Sequence, residues 1–85
     1  MNSRYRTLAH DGRYDEECRS LGDVQRMDEA LRFLHQRLAE HPEQGRQLRA
    51  GSAVWAAVTQ YTRPTFIIYY TFDADSVTLL SIRSR

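Results

Sequence analysis

The stretch TFIIYYTFDADSVTLLSIR, residues 65–83, decides the fold because it predicts two strands joined by a tight turn. Residues 65–72 are almost continuously apolar and rich in aromatic and β-branched side chains, which is typical of the central strand of a sheet. The turn Asp73-Ala74-Asp75 has aspartates that can bond their own backbone. Residues 76–83 form the last strand. Strict alternation places Val77, Leu79 and Ser81 on one face of this strand and Thr78, Leu80 and Ile82 on the other.

A third strand precedes this pair. Residues 54–61 are rich in β-branched and aromatic side chains, and Thr62-Arg63-Pro64 supplies the turn into the central strand. Trp55, near the start of this strand, is expected to anchor the core. Because short turns join the three strands, we expect an antiparallel meander. A further strand is predicted at residues 4–9.

A short helix is predicted after this first strand. Asp11 is its expected N-cap. Tyr14, Cys18 and Leu21 recur at spacings of four and three, which places them on one apolar face. Gly22 can close the helix. Its acidic residues are expected to form a solvated face, at Asp15, Glu16 and Glu17.

The second helix has the clearest periodic pattern in the chain. Asp23 is its expected N-cap, and Pro42 is expected to end it near His41. Its apolar side chains recur at spacings of 3, 4, 3 and 4, at Val24, Met27, Leu31, Leu34 and Leu38. This stripe should cover one face of the sheet. Because the joint between the helices is very short, they should form an antiparallel hairpin.

These elements predict one α+β domain over residues 1–85, in the order β-α-α-β-β-β, with an antiparallel sheet packed against a two-helix hairpin. The chain has 85 residues, of which 41% are hydrophobic, so a single compact core is feasible. Small domains bury a smaller share of their surface, so a tight partner would also contribute to stability.

The composition excludes several kinds of chemistry. Cys18 is the single cysteine, so no internal disulfide can form, and no cysteine–histidine pattern indicates zinc. We expect no metal and no cofactor. Residues 66–70, a continuous apolar stretch, are too few to cross a membrane, and residues 1–11 lack the apolar run of a signal peptide. The expected location is a reducing cytoplasm.

All twelve basic residues are arginines. Residues 1–43 hold seven arginines and nine acidic residues, a balance of −2, whereas residues 44–85 hold five arginines and two acidic residues, a balance of +3. The strand-rich half is therefore mildly basic, and arginine can bind phosphate groups through bidentate hydrogen bonds. A GC-rich genome explains the missing lysine equally well.

The order of elements resembles the RelE/ParE superfamily of bacterial type II toxins. In these toxins the second helix commonly ends in a Pro…Gly segment, here Pro42 with Gly45, and a Leu-Arg-small-Gly step follows, here Leu48-Arg49-Ala50-Gly51. The third strand often has the pattern of Phe66-Ile67-Ile68-Tyr69. An acidic turn and an aliphatic strand ending in basic residues complete the resemblance, which covers essentially the whole chain through the order of its motifs.

The resemblance implies a toxin that a cognate antitoxin neutralises in a hetero-oligomer. RelE-like members cleave mRNA on the ribosome and are endoribonucleases, whereas ParE-like members inhibit DNA gyrase without cutting RNA. A degenerate toxin fold that acts only as a protein-binding module is a further alternative.

The same resemblance assigns candidate catalytic residues. Arg85 and Arg83 match the phosphate-contacting end of the last strand, and Arg63 could reach the same space. The catalytic tyrosine that often follows has no counterpart. The family's basic pair on the second strand aligns with Ala56 and Val58, which are apolar, and its arginine at the start of the third strand aligns with Phe66. The usual proton-transfer groups of a nuclease are therefore missing, which favours a ParE-like toxin.

The remaining candidates would bind a target or its phosphates, and they are Arg46, Arg49, Tyr61, Tyr69 and Tyr70. The simpler alternatives are solvated charges for the arginines and core packing for adjacent Tyr69 and Tyr70, which must point to opposite faces. The three histidines are expected in surface or capping roles, at His10, His35 and His41.

Overall fold

Two helices and a five-stranded mixed sheet make up the part of the chain that the structure describes. The computed structural model describes residues 6–21, 24–59 and 65–84, with the side chains of all of these except 24–30 and 33. The elements in chain order are β1 (Thr7–His10), α1 (Gly12–Ser20), α2 (Val24–Glu40), a 3-10 turn (Pro42–Gln44), β2 (Arg46–Gln47), β3 (Trp55–Val58), β4 (Phe66–Phe72) and β5 (Ser76–Ser84). The predicted α+β class is confirmed. None of the described helices is both long and apolar enough to span a membrane.

The strand order confirms the meander and corrects the rest of the predicted sheet. The order is β1-β5-β4-β3-β2, in which β3, β4 and β5 pair antiparallel as expected. β1 pairs with β5 in the parallel direction, so the sheet is mixed. Because β4 occupies one edge of β5, β1 takes the other edge. A short strand absent from the prediction, β2, pairs antiparallel with β3 and forms the opposite edge of the sheet.

A β-bulge at Leu80 changes which side chains of β5 face the core. Tyr69 pairs with Ser81 while Tyr70 pairs with Leu79, so β5 contains one extra residue at this point. Ile82 is therefore buried, together with Val77 and Leu79. The prediction that placed Ile82 on the other face was wrong, because the extra residue shifts the alternation by one.

The first helix begins as predicted. Asp11 has an extended backbone conformation, and its side chain accepts a hydrogen bond from the Arg13 amide at 2.9 Å. Tyr14 is buried, and Cys18 and Leu21 are partly buried against the same core, which confirms the apolar face. Gly22 lies outside the described residues.

The second helix also follows its periodic pattern. Leu31, Leu34 and Leu38 are buried in the core, as expected. The helix ends at Glu40, just before Pro42 begins the 3-10 turn. Asp23 and the side chains of Val24 and Met27 are outside the described part, as is the predicted turn at residues 62–64.

The core lies between the helices and one face of the sheet. It unites Tyr14, Leu31, Leu34, Leu38, Ala57, Phe66, Ile68, Tyr70, Val77, Leu79 and Ile82. Trp55 packs against this cluster from its margin, with its ring edge-on to Phe72 at a centroid distance of 5.4 Å. α1 packs mainly along β5, and α2 contacts α1, β1 and β5.

Tyr70 connects the centre of the sheet to the end of α2. Its side chain is fully buried, and its hydroxyl donates a hydrogen bond to the carbonyl oxygen of Pro42. Burial raises the pKa of Tyr70 to about 12, so the phenol keeps its proton at neutral pH. Gly45 lies against this contact. A Cβ on Gly45 would lie 2.5 Å from the carbonyl oxygen of Ala56 and would also overlap the Tyr70 hydroxyl.

We therefore expect Gly45→Ala to destabilise the fold. The added methyl group has no space between two backbone segments, and overpacking of this kind costs about 1–3 kcal/mol. Urea unfolding would measure the change. Gly12→Ala is the matched control, because no atom lies within 4 Å of its added Cβ and the residue begins a helix. An unfolding free energy for Gly45→Ala equal to that of the control would contradict the tight contact.

Candidate functional site on the open face of the sheet

The sheet has a second face, opposite the core, whose side chains remain partly exposed. Along β4, Phe66, Ile68 and Tyr70 are buried, whereas Ile67 and Tyr69 alternate with them and are only half-buried. The side chains on this second face include those of Arg46, Ala56, Val58, Ile67, Tyr69 and Arg83, and we call these six the open face.

One row of the open face crosses three strands. Arg46 on β2 is opposite Ala56 on β3, and Ala56 is opposite Tyr69 on β4. Directly opposed residues of antiparallel strands point to the same side, and adjacent strands are roughly 5 Å apart. The Cα atoms of Arg46 and Tyr69 are therefore roughly 10 Å apart, and both side chains project from the open face.

A second row runs beside the first. Val58 is opposite Ile67, and Ile67 is opposite Arg83 on β5. Arg83 is exposed, whereas its neighbour Ile82 is only 2% exposed, so the two side chains point to opposite faces. Arg46 and Arg83 thus flank the open face from the two sides of Tyr69.

The bulge at Leu80 determines the direction of Arg83. Without the extra residue, Arg83 would share the face of Val77 and Leu79, which is the core face. With it, Ile82 enters the core and Arg83 points to the open face. Re-aiming a side chain is a known effect of a β-bulge.

The other candidate residues are placed differently. Arg49 is exposed in the loop between β2 and β3, which turns through Gly51 at a φ of 81° and is not part of the open face. Tyr70 is buried in the core, so its ring is not available for stacking on a base. Three of the candidates, Tyr61, Arg63 and Arg85, lie outside the described residues.

The centre of the open face is apolar. Ala56 and Val58 occupy the positions where the RelE/ParE resemblance places a basic pair, and Ile67 lies next to Val58. No carboxylate or imidazole belongs to the open face as defined. Among the described residues, no group of three or more His, Cys, Asp and Glu side chains is arranged to hold a metal ion.

Glu17 on α1 closes the free edge of β5 next to Arg83. β1 covers β5 only along Ser76–Leu79, and beyond Leu79 no strand of the described residues pairs with this outer edge. There the Glu17 carboxylate accepts hydrogen bonds from the Ser81 hydroxyl at 2.7 Å and from the Ile82 amide at 3.3 Å. A carboxylate in this position satisfies backbone groups that would otherwise invite edge-to-edge association.

These contacts also shift the protonation of Glu17. The hydrogen bond from Ser81 lowers the pKa of the carboxyl group most, against a smaller effect of burial that raises it. The Ile82 amide and the charges of Arg13 and Arg83 lower it further. The sequence pattern placed Glu17 on a solvated face and missed this role. The position of Glu17 one turn after the apolar Tyr14 was the available indication in the sequence that this carboxylate faces the sheet. Such a spacing is not specific.

Neither a protein-family model nor a curated protein matches this sequence. The fold does match a solved structure, the crystal structure of the toxin–antitoxin complex RelBE2 from Mycobacterium tuberculosis. The TM-score is 0.76 at 18% sequence identity, over 95% of this chain and 92% of the other. This chain therefore has the fold of a chain in that toxin–antitoxin complex.

The open face of this chain combines charged and apolar side chains. Two flanking arginines and Tyr69 surround an apolar centre, and the described part offers no general base there. Such a surface can bind an acidic or phosphorylated macromolecule that also presents apolar contacts.

We expect Glu17→Gln to destabilise the protein at neutral pH and much less in acid. The folded pKa of Glu17 lies below its ordinary value of 4.5, so its carboxylate stabilises the fold above that pH and the effect is lost as the pH falls through the folded value. Urea unfolding of both proteins at pH 7 and pH 3 would measure this. A difference in unfolding free energy that does not change with pH would contradict the assigned hydrogen bonds.

Proposed function

We propose that this protein is the toxin of a bacterial type II toxin–antitoxin system. It arrests growth by binding a macromolecular target through the open face, and a cognate antitoxin neutralises it. The observation that supports this most is the placement of Arg46, Tyr69 and Arg83 around an apolar patch on a RelE/ParE-like fold. The similar structure is that of a toxin in complex with its antitoxin, which supports an antitoxin partner here.

A protein target fits the open face better than cleaved mRNA does. RNA cleavage needs one group to remove a proton from the 2′-hydroxyl and another to protonate the leaving oxygen. On the open face, Tyr69 is the one titratable group besides the arginines, and Ala56 and Val58 occupy the positions of the missing basic pair. Interfaces between proteins instead combine an apolar centre with tyrosine and arginine at its margin.

The favoured mechanism is therefore ParE-like inhibition of DNA gyrase, in the cytoplasm where that enzyme works. RelE-like cleavage of ribosome-bound mRNA is the second candidate, because the similar structure bears the RelE name. It would require catalytic groups beyond those of the open face. Two of the candidates, Arg63 and Arg85, lie outside the described residues.

Induction of the protein alone in a sensitive bacterium tests the proposal. Wild-type protein should arrest growth, and the double variant Arg46→Ala with Arg83→Ala should not. Each arginine supplies charged hydrogen bonds worth about 1.5–3 kcal/mol, so removal of both should lower target affinity by at least about a hundredfold. Colony counts after induction and thermal unfolding of each purified protein would be measured together.

Arg19→Ala with Arg37→Ala is the matched control, because both of these arginines are exposed on helices and the change in charge is the same. Arrest by the control but not by the open-face variant is the expected result. Absence of arrest by the wild type would instead favour a non-toxic binding module. Equal arrest by both double variants would remove the open face from the mechanism.

The target can be identified in the same cells. Gyrase inhibition should induce the DNA-damage response without new mRNA ends, whereas mRNA cleavage should produce primer-extension stops within codons. We expect the first pattern. Co-expression of the neighbouring small reading frame should restore growth if it encodes the antitoxin.

A further inference from the structure

A pocket, which we call the helical pocket, lies on the helical side of the sheet, away from the open face. It is a cavity of about 360 Å³ between the end of β1, α1 and α2. Its lining includes His10, Tyr14, Cys18, Leu31, Arg32 and His35. A volume in this range is typical of a site for a small organic ligand.

Three aromatic rings form one wall of this helical pocket. The ring centroids of His10 and Tyr14 are 5.2 Å apart, and those of His10 and His35 are 5.7 Å apart, both in edge-on contact. The Tyr14 hydroxyl lies 2.7 Å from Nε2 of His35, which links α1 to α2. Tyr14 is only 1% exposed, so the wall is held in place by the core. His10 and His35, which were expected in surface or capping roles, contact each other here, and His10 is exposed.

The pocket contains both an apolar part and a charged rim. Leu31 is 4% exposed and contributes to the core, and Cys18 is partly buried beside it. Arg32 is exposed and carries a positively charged guanidinium. The pocket therefore offers apolar contact at Cys18 and a positive charge at its opening.

One carboxylate, Asp15, also lines the pocket, and His10 engages it. Oδ1 of Asp15 lies 3.2 Å from Nδ1 of His10. A carboxylate can only accept, so Nδ1 of His10 carries the proton in this contact. Asp15 and Arg32 are the two charged side chains of the described lining, with Asp15 hydrogen-bonded to His10 and Arg32 exposed.

We propose that this pocket binds a small organic carboxylate, with its apolar body against Cys18 and the rings of His10 and His35 and its acidic head beside Arg32. A metal or an organic cation fits less well, because Arg32 repels it and Asp15, the one carboxylate of the described lining, is hydrogen-bonded to His10. Inorganic phosphate lacks the apolar body that the buried part of the pocket would contact. The site is independent of the open face and adds a ligand-binding function to the one proposed above.

Phenylacetate is a suitable probe, because it joins an aromatic ring to one carboxylate. Titration of the isotope-labelled, full-length protein, followed by NMR, should show saturable shifts of the His10, Leu31 and His35 signals. For a ligand of this size we expect a dissociation constant on the order of millimolar. Phenylacetamide has the same shape without the charge and should bind at least about fivefold more weakly.

Two variants separate the pocket from general charge effects. Arg32→Gln should weaken phenylacetate binding roughly fivefold, whereas Arg37→Gln, which removes an exposed arginine from the same helix, should not change it. Equal binding of the acid and the amide would overturn the proposed head group. Equal affinity of the two variants, or no saturable shift in the pocket signals, would overturn the site. Saturation by inorganic phosphate at the same concentration would overturn the apolar part of the proposal.

Discussion

The contact between the Tyr70 hydroxyl and the Pro42 carbonyl holds the helical layer to the centre of the sheet. It binds the first residue of the turn after α2 to a fully buried side chain of β4. The chain can then pass so close to Ala56 that residue 45 has no space for a side chain. Gly45 leads directly into β2, so this contact also determines where Arg46 joins the sheet. The Pro42…Gly45 segment, which is one of the features that resemble the RelE/ParE superfamily, is thus explained by packing in this fold.

The two arginines of the open face reach their positions by different physical routes. Arg46 depends on the tight passage beside Tyr70 and on a strand of two residues. Arg83 depends on the bulge at Leu80, which exchanges the faces of Ile82 and Arg83. Neither arrangement follows from alternation along a single strand, and both bring a charge to the margin of an apolar surface. An apolar centre between positive margins is better suited to holding a target than to moving protons.

The sequence predicted the parts of the fold that local patterns determine. The leucine spacing of α2, the cap at Asp11 and the apolar run of β4 each specify one element by themselves, and all three are confirmed. The parallel pairing of β1, the strand at Arg46–Gln47 and the bulge depend on contacts between distant segments, which no local pattern contains. The candidate site was likewise predictable from local patterns only in part. Arg46, Tyr69 and Arg83 were identifiable as residue types, but their common face required the register of four strands.

Glu17 joins the stability of the fold to the geometry of the open face. Its carboxylate binds Ser81 and Ile82, the two residues that follow the bulge, at the edge where β1 no longer covers β5. The same hydrogen bonds therefore protect an exposed strand edge and hold the segment that directs Arg83. A substitution at Glu17 should thus change the position of Arg83 on the opposite side of the sheet, although Glu17 itself does not belong to the open face.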